Sequence, residues 1–218
     1  MRGVSLIVIT DAALARPRAV LDVVRAAVGA GAPAVQLRDK SAGARVLADA
    51  ARALLQVTRP AGALLTVNDR LDVALAVGAD GVHLGPDDIP VAAARAVVRE
   101  AEARGDLAPG FVVGTSTDDP AEARRLVTEG ADYIGCGTVY PTRSKPDAGE
   151  VIGLAGLRRV VAAVDVPVFG IGGVSVAGSA EIARETGAAG IAVIGAVMSA
   201  ADPGSAVRAL MQPWVLHD

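Results

Sequence analysis

Polar and charged side chains fall in short clusters along this chain, each directly after an aliphatic run. Gln36-Leu37-Arg38-Asp39-Lys40 comes first. In an extended segment side chains alternate, so Gln36, Arg38 and Lys40 share one side. Two cations and an amide converging there suit a phosphorylated ligand: arginine offers a bidentate fork and lysine a compact charge. A solvated loop of ion pairs is the plainer alternative, but Gln36 late in a buried strand must find hydrogen bonds. Asn68-Asp69-Arg70 follows the next run, and His83-Leu84-Gly85-Pro86-Asp87-Asp88 the one after. Carboxylates at neighbouring strand ends can hold one hard cation such as Mg2+, with waters and substrate phosphate completing its octahedron. Asp69 and Asp88 are the candidates. Both also have a structural alternative, since Asp69 could cap a helix from Leu71, and Asp87 or Asp88 one starting near Pro90.

Gly114-Thr115-Ser116-Thr117-Asp118-Asp119-Pro120 places Ser116 at a strand end, where its hydroxyl can meet a ligand. Asp119 before Pro120 reads as a helix cap with proline at the first helical position. Residues 137–149 form the longest loop, with hydroxyls and the cations Arg143 and Lys145 between prolines. A loop of that length in a compact domain is usually functional, for instance as a lid. Gly170-Ile171-Gly172-Gly173 and Val193-Ile194-Gly195-Ala196 are glycine-containing turns that let backbone N–H groups approach a phosphate closely. Together these clusters point to two anionic groups in one site. One meets a metal, Arg38, Lys40 and Lys145, and the other meets the two glycine turns. Such a layout suits joining or separating two phosphorylated small molecules. No Cys–His or Ser–His nucleophile pair stands out. His83 reads as a packed, hydrogen-bonded histidine and Cys136 as a small core residue.

The elements that must position these clusters announce themselves by repetition. Gly31-Ala32, Gly78-Ala79, Gly130-Ala131 and Gly187-Ala188 each close an Ala-rich amphipathic stretch and open a short apolar run, which is a helix stop followed by a buried strand. The spacings of 47, 52 and 57 residues fit two βα units per interval. The intervening strands are Val4–Ile9, Leu64–Val67, Phe111–Gly114 and Val166–Ile171. Eight strands alternating with helices in 218 residues make a single-domain (β/α)8 TIM barrel spanning residues 1–218. Continuous apolar runs are the mark of parallel strands covered on both faces. A doubly wound open sheet is the alternative fold, but Thr10-Asp11-Ala12 after the first strand is no glycine fingerprint.

Composition narrows the function classes. The chain is 52% hydrophobic and only 2% aromatic, so Ala, Val, Leu and Ile must fill the core. A net charge of −3 without a basic run argues against a nucleic-acid surface. The single cysteine fits a reducing, cytoplasmic setting. No apolar run approaches the length of a membrane span. Partners are therefore expected to be phosphorylated small molecules, with a homo-oligomer left open.

Taken in order, Gln-x-Arg-x-Lys, Asn-Asp-Arg, His-x-Gly-x-x-Asp, Gly-x-Ser, Gly-x-x-Tyr-Pro-Thr-x-Ser-Lys and Gly-Ile-Gly-Gly resemble the thiamine-phosphate synthase family over nearly the whole chain. The resemblance implies a transferase that joins 4-amino-2-methyl-5-(diphosphooxymethyl)pyrimidine to a thiazole phosphate, releasing pyrophosphate. It implies Mg2+ on Asp69 and Asp88. It puts Gln36, Arg38, Lys40, Asn68, Ser116 and Lys145 on the pyrimidine substrate, with Arg38, Lys40, Ser116 and Lys145 as the catalytic set. It puts Thr142, Ser144, Gly173, Ile194 and Gly195 on the thiazole phosphate. Two positions depart from the pattern. The family usually has serine where Gly195 stands, and the family and its relatives often have histidine where Asp118 stands. The related thiazole tautomerase, an isomerase of the same fold, uses a histidine after strand 5 and does not need the diphosphate-binding set. A catalytically silent barrel that binds a phosphorylated metabolite is the non-enzymatic alternative, against which the intact pair Asp69 and Asp88 argues.

Overall fold

Each of the four Gly-Ala signatures lies at a helix-to-strand junction, and each opening glycine has a left-handed backbone: φ is 97° at Gly31, 66° at Gly78, 110° at Gly130 and 71° at Gly187. Only a residue without a Cβ takes that geometry at no cost, so glycine ends the helix and redirects the chain into the next strand. In the computed structural model, which describes Met1, residues 3–142 and residues 149–217, the strands are β1 Leu6–Ile9, β2 Ala34–Leu37, β3 Leu64–Asn68, β4 Gly81–Leu84, β5 Val112–Ser116, β6 Tyr133–Cys136, β7 Val168–Ile171 and β8 Gly190–Val193. All eight pair in parallel with their chain neighbours. β8 returns to β1 through Leu6↔Ile191 and Val8↔Val193, so the sheet closes into a barrel in chain order.

Helices form the outer layer. They are α1 Ala12–Ala15, α2 Val20–Gly29, α3 Ala44–Thr58, α4 Leu71–Val77, α5 Val91–Arg104, α6 Pro120–Glu129, α7 Gly153–Val161, α8 Val176–Glu185, α9 Gly195–Met198 and α10 Pro203–Met211. Their buried stripes are small and aliphatic, as with Leu47, Ala51, Leu54 and Leu55 on α3 and Val91, Ala94 and Val98 on α5. Asp119 caps α6 by accepting from the Ala121 N–H at 2.9 Å, with Pro120 at the first helical position, as the sequence suggests.

Two aromatic rings fill the barrel where aliphatic side chains do not. Tyr133 and Phe169 meet edge to face, with centroids 5.6 Å apart, and both are fully buried. Gly114 makes room for the tyrosine. It pairs with Tyr133 across β5 and β6, and a Cβ on it would lie 2.0 Å from the phenol ring.

Candidate active site

The C-terminal strand ends gather the polar clusters at one mouth of the barrel. At the end of β2, Thr10 holds the chain in place. Its hydroxyl accepts from the Arg38 N–H at 2.9 Å and donates to the Arg38 carbonyl at 3.2 Å. Arg38 and Lys40 both act on Asp69 electrostatically, drawing its pKa down. Asp39 turns elsewhere, accepting from the N–H and hydroxyl of Ser41 and from the Ala42 N–H, and these bonds hold its carboxyl below the usual range. The alternation expected of Gln36, Arg38 and Lys40 therefore separates the two cations from Asp39. Gln36, only 3% exposed, lies deeper and approaches the Tyr133 hydroxyl. The Arg38 Nε is buried and meets no hydrogen-bond partner among the described residues. An orphaned guanidinium donor is costly unless a ligand completes it.

Asp69 does not cap α4. That helix begins behind Arg70, whose side chain provides no cap, while Arg70 forks onto Asp72 with Nε–Oδ1 at 2.8 Å. Asp69 instead sits at φ 65°, where among the described residues no other non-glycine has positive φ. Its N–H donates to the His83 carbonyl at 2.8 Å and the following N–H, that of Arg70, to the Asn68 carbonyl at 2.8 Å. The tight turn aims the Asp69 carboxyl at Asp88. A strained backbone at such a place is a pointer to function. Burial and the adjacent Asp88 carboxyl push the Asp69 pKa up to about 6, against the opposing pull of Lys40 and Arg38.

The capping alternative also fails for Asp87 and Asp88, because α5 starts after Pro90 with no side-chain cap. Asp88 folds back on its own turn, its Oδ2 accepting from the Gly85 N–H at 2.7 Å. Asp69 and Asp88 thus stand together with Arg38 and Lys40 around them. Among the described residues no group of three or more His, Cys, Asp or Glu side chains is placed to hold a metal. Two carboxylates that repel each other suit a divalent cation that takes its remaining ligands from water and substrate.

Next to this cluster lies a cavity of about 180 Å³ lined by Ser116, Gly135, Thr138, Thr142, Gly172, Gly173, Ile194 and Gly195, among others. It contains both glycine turns, as the sequence suggests. The chain after β6 runs along the chain after β7 through Val139 N–H to Ile171 O and Tyr140 N–H to Gly172 O, both 2.9 Å. Gly173 is required by that contact: φ is 65° and a Cβ would fall 2.5 Å from the Pro141 carbonyl oxygen. The glycine thus serves close packing of two loops and shapes the cavity wall. Ile194 and Gly195 lead into α9, whose first N–H groups have no partner within the helix. Ser116 borders this cavity and also the neighbouring groove lined by Gly85 and Asp88.

His83 is packed and bonded at both ring nitrogens, Nδ1 to the Tyr133 hydroxyl at 2.9 Å and Nε2 to the Ser116 hydroxyl at 2.8 Å. Cys136 is a buried core residue whose thiol is pushed up to about 12 by burial. Asp118 is exposed. Ser144 and Lys145 lie outside the described residues, as do all of residues 143–148 in the loop expected to act as a lid. Thr10, Thr138 and Tyr133 were not singled out by the sequence. Of these only Tyr133 carried a signal, as one of two tyrosines in the chain and the one inside a strand.

Comparison with known proteins agrees with this geometry. A family model described as thiamine monophosphate synthase matches residues 6–197. A thiamine-phosphate synthase of Roseiflexus castenholzii is 46% identical over 96% of this chain and 87% of its own length. One of Methanoculleus marisnigri is 45% identical over 95% and 94%. The solved structure of thiamine phosphate pyrophosphorylase from Pyrococcus furiosus superposes with a TM-score of 0.83 at 42% identity, covering 96% of this chain and 95% of that one. With the barrel mouth, the cation cluster and the glycine-walled cavity in the places the motifs require, the chain belongs to the thiamine monophosphate synthase family.

Proposed function

We propose that the barrel mouth joins the two substrates in a fixed division of labour, with the diphosphate end of the pyrimidine at Arg38, Lys40, Asp69 and Asp88 and the thiazole phosphate in the glycine-walled cavity. The reaction is that of the family: a thiazole phosphate is coupled to the diphosphooxymethyl pyrimidine, giving thiamine phosphate and pyrophosphate. The observation that carries the division of labour is the unsatisfied, buried Arg38 Nε beside the paired carboxylates. It offers a charged donor where a diphosphate oxygen would lie.

Pyrophosphate is a poor leaving group until its charge is neutralised. Asp69 and Asp88 would hold Mg2+, which would supply Lewis-acid neutralisation of that charge. Arg38 and Lys40, joined by Lys145, clamp the departing oxygens. Departure leaves a pyrimidine-methyl cation stabilised by the ring's own amino group. Gln36 and Asn68 orient the pyrimidine and Ser116 hydrogen-bonds it at the border between the two halves of the site. Thr142, Ser144, Gly173, Ile194 and Gly195 hold the thiazole phosphate, so that the thiazole nitrogen is already placed for attack. No protein nucleophile is needed. The exposed Asp118 gives no base on the cavity floor, which disfavours proton-shuttling isomerisation.

The test is stoichiometric. Incubation with both substrates and Mg2+ should give one pyrophosphate per thiamine phosphate. Release of no pyrophosphate, or product formation without it, would contradict this reading. We place the enzyme in the cytoplasm, working as one barrel domain. No helix among the described residues is long and apolar enough to cross a membrane.

A further inference from the structure

The polar side chains inside the barrel form a line that ends at Ser116. Gln36 on β2 and Thr66 on β3 lie near the Tyr133 hydroxyl and both favour its phenolate form, while the buried Thr66 Oγ1 makes no hydrogen bond among the described residues. The phenol is fully buried, and burial pushes its pKa upward, so it keeps its proton at any working pH. The His83 Nδ1, 2.9 Å away, is an acceptor within reach of that O–H when the imidazole carries its proton on Nε2. A neutral imidazole that accepts at Nδ1 carries its proton on Nε2. In that tautomer the N–H would donate to the Ser116 Oγ, 2.8 Å away. Ser116 then has its own proton to give, and its hydroxyl borders the cavity.

Two glycines keep the line straight. Gly114 admits the Tyr133 ring, and a Cβ on Gly135 would press within 3.3 Å of the Ser116 Oγ and 3.4 Å of the His83 Cε1. The register places the three members on adjacent strands: His83 opposite Gly114, Gly114 opposite Tyr133, and Ser116 opposite Gly135.

We infer that His83 is a positioning residue whose tautomer, set by Tyr133, makes Ser116 a hydrogen-bond donor towards an acceptor atom of the pyrimidine substrate. This inference rests on the reading above that Ser116 contacts that substrate. The opposite tautomer would turn the serine proton back onto Nε2 and leave only lone pairs facing the ligand. A one-way line of donors also polarises each bond in turn.

The chain has two histidines, His83 and His217, so 15N labelling at histidine resolves the His83 imidazole directly. The Nε2–H tautomer is expected in the wild-type protein, and an Nδ1–H tautomer overturns the inference whatever reaction the enzyme performs. Kinetics supply the second arm. His83→Gln, which keeps a donor near the Nε2 position, should hold kcat/KM for the pyrimidine substrate within about 3-fold of wild type. His83→Leu should lower it by at least ~10-fold, the scale of one lost charge-free hydrogen bond and its partner left unpaired. KM for the thiazole phosphate should move less than about 2-fold in both.

The coupling separates positioning from mere packing. Introduced into Ser116→Ala, His83→Leu should cost less than about 2-fold more, because the group it orients is gone. Equal losses in the wild-type and Ser116→Ala backgrounds overturn the inference. If Ser116→Ala alone leaves pyrimidine kinetics unchanged, the assignment of Ser116 fails, and the inference fails with it even if the tautomer is as expected.

Discussion

The N–H of Asp69 donates to the carbonyl of His83 at 2.8 Å, so the carboxylate end of β3 is tied to the strand that carries the Ser116-positioning imidazole. That bond fixes Asp69 at φ 65°, in a region that aspartate occupies at a cost. The two halves of the site therefore share a backbone strut, and a change at Asp69 acts on charge and on conformation separately.

Stability and activity should part company at this position. Asp69→Asn keeps a side chain that tolerates the left-handed backbone and removes the repulsion from Asp88. At pH 7 the metal-free variant should melt at a higher temperature than wild type in thermal unfolding, while turnover falls. A lower melting temperature would show that the carboxylate stabilises the fold.

The pH dependence of that stability follows from the direction of the Asp69 shift. Its folded-state pKa, about 6, lies above the ordinary carboxylate value of about 4. The folded state therefore holds the proton more tightly. The stabilisation is complete below about pH 4 and is lost as pH rises through about 6. Urea unfolding of metal-free protein between these values should show that loss in wild type and a flatter profile in Asp69→Asn. The same proton competes with Mg2+, so the half-saturating Mg2+ concentration should rise as pH falls through 6.

The glycine-walled cavity should respond to small additions. Gly173→Ala forces a Cβ against the Pro141 and Tyr140 carbonyls at an unfavourable φ. It should weaken thiazole-phosphate binding by at least ~10-fold, about 1.4 kcal/mol, and leave pyrimidine-diphosphate binding within about 2-fold, by calorimetry. Gly195→Ser, which installs the residue usual in the family, should tighten the thiazole phosphate by about 3- to 10-fold, the worth of one hydrogen bond. Loss of affinity there would mean that the backbone alone serves this turn.

Lys145→Ala should lower turnover more than it lowers thiazole-phosphate affinity, since the lysine is assigned to the diphosphate. Steady-state kinetics with each substrate varied in turn reads the difference. The reverse pattern would move Lys145 to the other substrate.

Much of this was legible in the residues. The four Gly-Ala junctions gave the strand count because a left-handed helix stop demands glycine, and each has the positive φ that this implies. The strand-end clusters pointed to the candidate site because parallel barrels expose their chemistry there. The capping alternatives for Asp69 and Asp88 could not be dismissed from sequence, since an aspartate before a helix looks alike whether its carboxyl turns inward or back along the chain. Tyr133 went unassigned for a similar reason. Inside an apolar run a tyrosine reads as core, and its hydroxyl partners come from strands distant in sequence. Thr10 likewise takes its role from Arg38, 28 residues away.

The central claim is that paired carboxylates and their surrounding cations draw pyrophosphate off the pyrimidine. Mg2+-dependent pyrophosphate release by Asp69→Ala, followed at saturating substrates and Mg2+, tests it most directly. A fall in turnover of at least ~100-fold, the scale of an essential electrostatic stabiliser, is the expected result. Turnover near the wild-type rate would contradict the account.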